Sequence, residues 1–215
     1  MRTLSLFTII DFLGVIAGAL GGALAARRSQ THRYDLVGVL GLGIVSALGG
    51  GIMRDILIQR GPPLALLDVR YLYAALGGAL VALFFGSGLG PRTQRLLILV
   101  DAAALSLFAV AGATRALNSG LSTLPALLLG TVTAVGGGAL RDVLSGRTPK
   151  VFEGGELYAI VAAIAADVFL LCSFMGITAG TATGVSVAAG FFLRLLGLRF
   201  GWQTKAIRSN SRGDF

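Results

Sequence analysis

The residues with the most chemistry to offer are two arginine–aspartate pairs, Arg54-Asp55 and Arg141-Asp142, each following a glycine triplet. The first copy reads ALGGGIMRDIL from Ala47 to Leu57, and the second reads AVGGGALRDVL from Ala134 to Leu144. Two further carboxylates, Asp11 and Asp101, stand early in apolar runs, where they could attract cations or cap a helix N-terminus. Opposite charges inside lipid are costly and pair with one another. Neighbours in sequence do not face each other on a helix, so pairing across helices is expected rather than within each dipeptide. Catalysis is not on offer. His32 is the one histidine and sits between apolar runs, Cys172 is the one cysteine, and no GxSxG or HExxH occurs. The triplet motif also lacks the lysine and spacing of a phosphate-binding loop. Neither an enzyme, a cofactor nor a metal centre is expected.

The elements that carry these groups must be membrane helices. Hydrophobic residues make up 55% of the 215-residue chain, charged residues 13%, and the mean hydropathy is +0.83. Apolar runs of about 20 residues, long enough for a ~30 Å hydrocarbon core, recur along the whole length. The reading is an all-α polytopic membrane protein with seven transmembrane helices. They are expected over Phe7–Ala26, Leu36–Ile58, Val69–Phe85, Leu96–Leu117, Leu124–Ser145, Glu156–Phe174 and Ile177–Leu196. A single transmembrane domain would cover 1–198, and 199–215 would be a basic cytoplasmic tail. Gly61-Pro62-Pro63, Gly86 to Pro91, Asn118-Ser119-Gly120 and Gly146 to Pro149 punctuate the spans. The net charge of +8 is spread over loops and the tail, which fits membrane topology and not a nucleic-acid surface.

The chain repeats itself. Gly49, Arg54, Asp55 and Arg60 map onto Gly136, Arg141, Asp142 and Arg147, all 87 residues on. Asp11 maps onto Asp101 and Gly22 onto Gly112 at 90, and Leu72-Tyr73-Ala74 onto Leu157-Tyr158-Ala159 at 85. The unit is three helices, repeat one over about 7–86 and repeat two over about 96–175, with the seventh helix over about 177–197 added. Three is odd, so the second unit enters the membrane from the opposite side as an inverted repeat. With the N-terminus outside, twelve basic residues fall in cytoplasmic segments and four outside, leaving out Arg54 and Arg141. That imbalance orients the chain in the cell membrane, C-terminus in the cytoplasm.

Gly49, Gly50 and Gly51, and their partners Gly136, Gly137 and Gly138, weaken the second and fifth helices at matching depths. A break or kink would free backbone groups that only protein or water can satisfy, so a polar pathway between these two helices is expected. The blander alternative is close helix packing, with Arg-Asp ending each helix. Ser46, Thr131 and Thr133 precede the triplets and could line a passage or bond their own helix. Asp167, mid-way along the sixth span, has no counterpart in the repeat and is expected to face a cavity or a basic group.

The twin GGGxxRD motifs, each followed by RxP, in a three-plus-three-plus-one plan resemble the prokaryotic trimeric intracellular cation (TRIC) channels. The resemblance implies a homotrimer in membrane lipid with one pore per subunit, kinked at the triplets and passing monovalent cations such as potassium and sodium. It makes Arg54, Asp55, Arg141 and Asp142 candidate pore-lining or gating charges. The Lys-Glu-Val element of animal members is missing. Some related bacterial sequences are described as glycine transporters, so a secondary carrier for a small amino acid is the competing expectation.

Overall fold

The computed structural model describes residues 5–29, 32–85, 92–153 and 157–203, with backbone alone at 92–94. The described residues form eight helices: α1 Leu6–Arg27, α2 Leu36–Ile58, α3 Leu64–Leu67, α4 Val69–Phe85, α5 Arg92–Asn118, α6 Thr123–Leu144, α7 Tyr158–Phe174 and α8 Ala179–Phe200. Five are long and apolar enough to cross a bilayer: α1, α2, α5 from Arg95, α6 and α8. The apolar helices α4 and α7 are shorter, at 17 residues each.

Each expected span has a helix. Most boundaries agree to within two residues; the larger differences are that α5 begins at Arg92, not Leu96, and that α8 runs to Phe200, not Leu196, so Arg199 is helical and not part of a tail. Arg2, Glu156, the turn from Gly86 to Pro91 and the tail over 204–215 lie outside the described residues. The four-residue α3 was not expected. It follows Pro62-Pro63, and its first amide, Leu64 N–H, donates to the Asp55 carboxylate at 2.9 Å, so the end of α2 caps it.

Packing is small inside and large outside. Ala19, Ala75, Ala79, Ala109, Ala162 and Ala166 are fully buried, while Phe84, Phe85, Leu124 and Phe174 are exposed. That is the distribution lipid selects, since small residues let backbones approach and large apolar ones lose nothing by facing acyl chains. α1 packs on α2 and α4, α5 packs on α6 and α7, and the two groups meet through α1–α5 and α2–α6. α8 leans on α5 and α7.

The same contacts occur in both groups. A methyl group placed on Gly22 would strike the Ser46 Cβ and the Leu42 carbonyl, and one on Gly112 would strike the Thr133 hydroxyl and the Leu129 carbonyl. Gly43 lies against Ala79, Ala19 and Ala23, and Gly130 lies against Ala166, Ala109 and Ala113. First-helix residues thus match 90 apart, and second- and third-helix residues 87 apart. This corrects the offset of 85 expected for the third helix. Tyr71, not Tyr73, is the counterpart of Tyr158: both are buried, and Tyr73 is exposed.

Arg27 ends α1 by donating to the Ala82 carbonyl at 3.1 Å and to the Leu83 carbonyl. These are carbonyls in the last turn of α4, which have no partner in their own helix. The contact fixes α4 against α1 at the end where both finish.

Candidate functional site

The two triplets meet. α2 and α6 cross with Gly50 over the Thr133 carbonyl and Gly137 over the Ser46 carbonyl, so tightly that a methyl group on either glycine would overlap that carbonyl. Position 46 faces 137, 50 faces 133 and 53 faces 136, so the helices run antiparallel. The outer glycines receive side chains of the other helix: Leu140 covers Gly49, and Met53 covers Gly136. At the third glycines a methyl group would meet the nearby guanidinium only in an ordinary contact, 3.7 Å from Arg54 at Gly51 and 3.7 Å from Arg141 at Gly138. Both helices continue as α-helix through their triplets, so the backbone break envisaged there does not occur. The physical reason is the fit: each glycine's missing side chain is replaced by contact with a neighbour, which offsets its poor helix propensity.

The first ionic cluster lies at the C-terminal end of α2. Arg54, 1% exposed, donates through Nε to Asp55 Oδ1 at 2.9 Å and through Nη2 to Asp55 Oδ2 at 3.2 Å. Its Nη1 reaches Asp11 Oδ1 at 3.4 Å, and the Tyr71 hydroxyl donates to Asp11 Oδ2 at 2.8 Å. Arg115, from the end of α5, approaches Asp55 at 3.6 Å. The second cluster lies at the C-terminal end of α6. Arg141 donates to Asp142 Oδ1 at 3.0 Å and 2.8 Å, and the Tyr158 hydroxyl donates to Asp101 Oδ1 at 3.2 Å. Asp142 also receives the Lys150 amide at 3.5 Å, as Asp55 receives that of Leu64.

Pairing within each dipeptide corrects the expectation that Arg and Asp would pair across helices. The spacing rule concerns side chains that stand straight off the helix. A guanidinium at the end of a long stem can fold sideways, which lets Arg54 and Arg141 reach the carboxylate of the next residue. Asp11 and Asp101 are not N-caps either. Ser5 caps α1, and Asp101 stands nine residues beyond the start of α5.

α1 has Asp11 near its start in the first cluster, and Ala26 near its end lines the cleft at the second, so the clusters lie at opposite ends of the molecule. That cleft has a volume of about 400 Å³. Its floor holds Asp101, Arg141, Asp142 and Arg194, and its rim carries Arg28, Arg147 and Lys150. Arg147 holds the rim together by donating to Ser29 Oγ at 3.0 Å. Below the floor, a void of about 20 Å³ bordered by Ser46, Ala134, Gly138 and Tyr158 shares Asp101 and Arg141 with the cleft. Ser46 therefore does face a cavity. Thr133 and Thr131 instead donate to the carbonyls of Leu129 and Leu127 in their own helix.

Among the described residues no group of three or more potential metal ligands occurs. Outside the helices, hydrogen bonding from Arg70 holds the half-buried Asp68 carboxyl below the usual carboxylate range. Tyr71, Tyr158 and Arg194 belong to the clusters and were not singled out as site residues. The tyrosines share the 87-residue offset of the triplets, which was a legible signal. Arg194 gave none, because an arginine late in an apolar helix reads as an interfacial anchor.

The sequence model of a family described as Glycine transporter matches residues 8–87 and 98–174. A UPF0126 membrane protein of Deinococcus radiodurans is 46% identical over 158 residues, covering 73% of this chain and 72% of the relative. The crystal structure of a TRIC trimeric intracellular cation channel orthologue from Rhodobacter sphaeroides is similar at a TM-score of 0.83 and 36% identity, over 91% of this chain and 98% of that one. A second TRIC cation channel structure matches at 0.81 and 31% identity, over 96% and 100%. These TRIC structures are of channels and not of enzymes, in line with the expectation that this chain is not an enzyme. With its sequence matched in both halves and its fold matched nearly end to end, the chain belongs to the family that the glycine-transporter model describes and the prokaryotic TRIC channels represent.

Proposed function

We propose that the protein is a membrane channel for monovalent cations, potassium and sodium, with its path running past the α2–α6 crossing from one ionic cluster to the other. The observation that carries this reading is the arrangement itself: two self-neutralised clusters at opposite ends of one glycine seam. Each cluster sets two carboxylates against two arginines, so a modest shift of one guanidinium uncovers a carboxylate for a passing cation. The seam is closed in this structure, and separation of α2 from α6 would open it. Likeness to the TRIC structures supports the same reading. Purified protein in a planar bilayer under a KCl gradient should give unitary currents reversing near the potassium equilibrium potential. Reversal near zero would defeat cation selectivity.

The same reading takes α1, α2 and α4, and α5, α6 and α7, as inverted three-helix repeats, with α8 the seventh span of a single transmembrane domain. The cleft then opens to the cytoplasm of a cell whose plasma membrane holds the protein, with the N-terminus outside and the basic tail within. A homotrimer is supported by Asp167, which is exposed near the middle of the apolar α7. A carboxylate facing lipid at that depth costs on the order of 2.5–3.5 kcal/mol, so a neighbouring subunit would cover it. Carbodiimide should therefore label Asp167 in dissociated monomers and spare it in an assembly of three chains. Equal labelling of both would remove this support.

A second reading, a carrier for glycine, is favoured by the family description and by the floor of the cleft. Arg141 and Arg194 beside Asp101 and Asp142 could meet both ends of a zwitterion. Saturable glycine uptake by liposomes without unitary currents would select it.

A further inference from the structure

α8 has no counterpart among the other helices, yet it supplies a charge to the second cluster. In the first cluster Asp11 is held by Arg54, the arginine of its own motif, at 3.4 Å. In the second, the ion pair at Asp101 is with Arg194 of α8, at 3.9 Å, while Arg141 is turned to Asp142. Arg194 is 3% exposed, and its guanidinium lies 4.9 Å from the centre of the Tyr158 ring, the same ring whose hydroxyl bonds Asp101. Asp101 in turn sits where the 400 Å³ cleft narrows to the 20 Å³ void beside the glycine crossing.

We propose that Arg194 is a tethered cation that occupies the cation-binding position at Asp101, and so sets how readily ions enter from the cleft. This rests on the channel reading. An arginine side chain on a flexible stem, stacked on an aromatic face, can leave its carboxylate by rotation without unfolding α8. A permeating cation must displace it, whereas at the other end Asp11 is held within its own repeat. Entry from the two ends is therefore unequal, and the inequality belongs to α8.

The test is rectification in planar bilayers under symmetric KCl. Arg194→Gln should raise current entering from the cleft by about twofold or more, with less change in the opposite direction, because a carboxylate freed of its partner concentrates cations at the mouth. Arg194→Lys, which keeps the charge, should stay close to the parent. In an Asp101→Asn background, Arg194→Gln should change nothing further, since no carboxylate remains to uncover. A merely structural Arg194 would lower current equally in both directions and would not couple to Asp101. Normal wild-type currents with unchanged rectification in Arg194→Gln overturn this inference alone. If Arg194→Gln does not fold, current entering from the cleft that rises as much in Arg194→Lys as expected for Gln does the same. Absence of wild-type currents overturns the channel reading and this inference with it.

Discussion

Gly50→Ala is expected to lose the close crossing of α2 and α6, and to cost about 1–3 kcal/mol or more of stability. The added methyl would land on the Thr133 carbonyl, which is backbone in the middle of a packed helix. Flexible side chains can yield to an intruder, but two backbones can yield only by moving the helices apart. Gly137→Ala should behave alike, because its methyl would land on the Ser46 carbonyl. Gly51→Ala is the control. Its nearest neighbour is the Arg54 guanidinium at 3.7 Å, an ordinary contact, so little change in stability is expected. Thermal denaturation in detergent should rank Gly50 and Gly137 far ahead of Gly51, and currents should be altered in the first two alone. Equal tolerance at all three positions would mean that the crossing does not hold the helices in place.

Asp55→Asn is expected to destabilise the protein by about 3–5 kcal/mol, the usual consequence of leaving a buried charge without its partner. Asp55 is 4% exposed and serves three groups: it chelates Arg54, faces Arg115 and caps α3 through Leu64. Asn keeps the shape but not the charge, and Arg54 would then depend on Asp11 at 3.4 Å. Asp142→Asn should cost less. The side chains of its pair with Arg141 are each 11% exposed, and the cleft beside them admits water. Replacing Arg54 and Asp55 together with leucine should be no milder than Asp55→Asn, because buried Asp11 then keeps only the Tyr71 hydroxyl and Arg115 loses its carboxylate. Chemical denaturation of the four proteins tests that order, and a double variant clearly more stable than the single one would contradict it.

Much of the fold was legible because lipid is a severe solvent. Runs of about 20 apolar residues located the helices, and the duplicated motif located the crossing partners. What the triplets do there was harder to read. Glycine signals either a break or a close approach, and the choice depends on what lies opposite. Here each triplet lies opposite the other, information held 87 residues away in the chain. The pairing of Arg54 with Asp55 was missed because helix spacing describes where side chains leave the backbone and not where a long, flexible guanidinium ends. Arg194 was illegible because its partner Asp101 lies 93 residues earlier, on a helix that α8 meets only in three dimensions.

The crossing also bears on how such a chain could arise. Gly50 reads the carbonyl of Thr133 and Gly137 reads the carbonyl of Ser46, and each member of one contact lies 87 residues from its equivalent in the other. The surface that α2 offers is thus the surface it accepts, which makes the contact isologous, as in a two-fold dimer. Three helices of this sequence pattern, standing alone, would find in an upside-down copy of themselves the partner that α2 finds here in α6. The peptide link between the halves then adds no new contact at the seam. It raises the local concentration of the second half and guarantees that one of each orientation is always present.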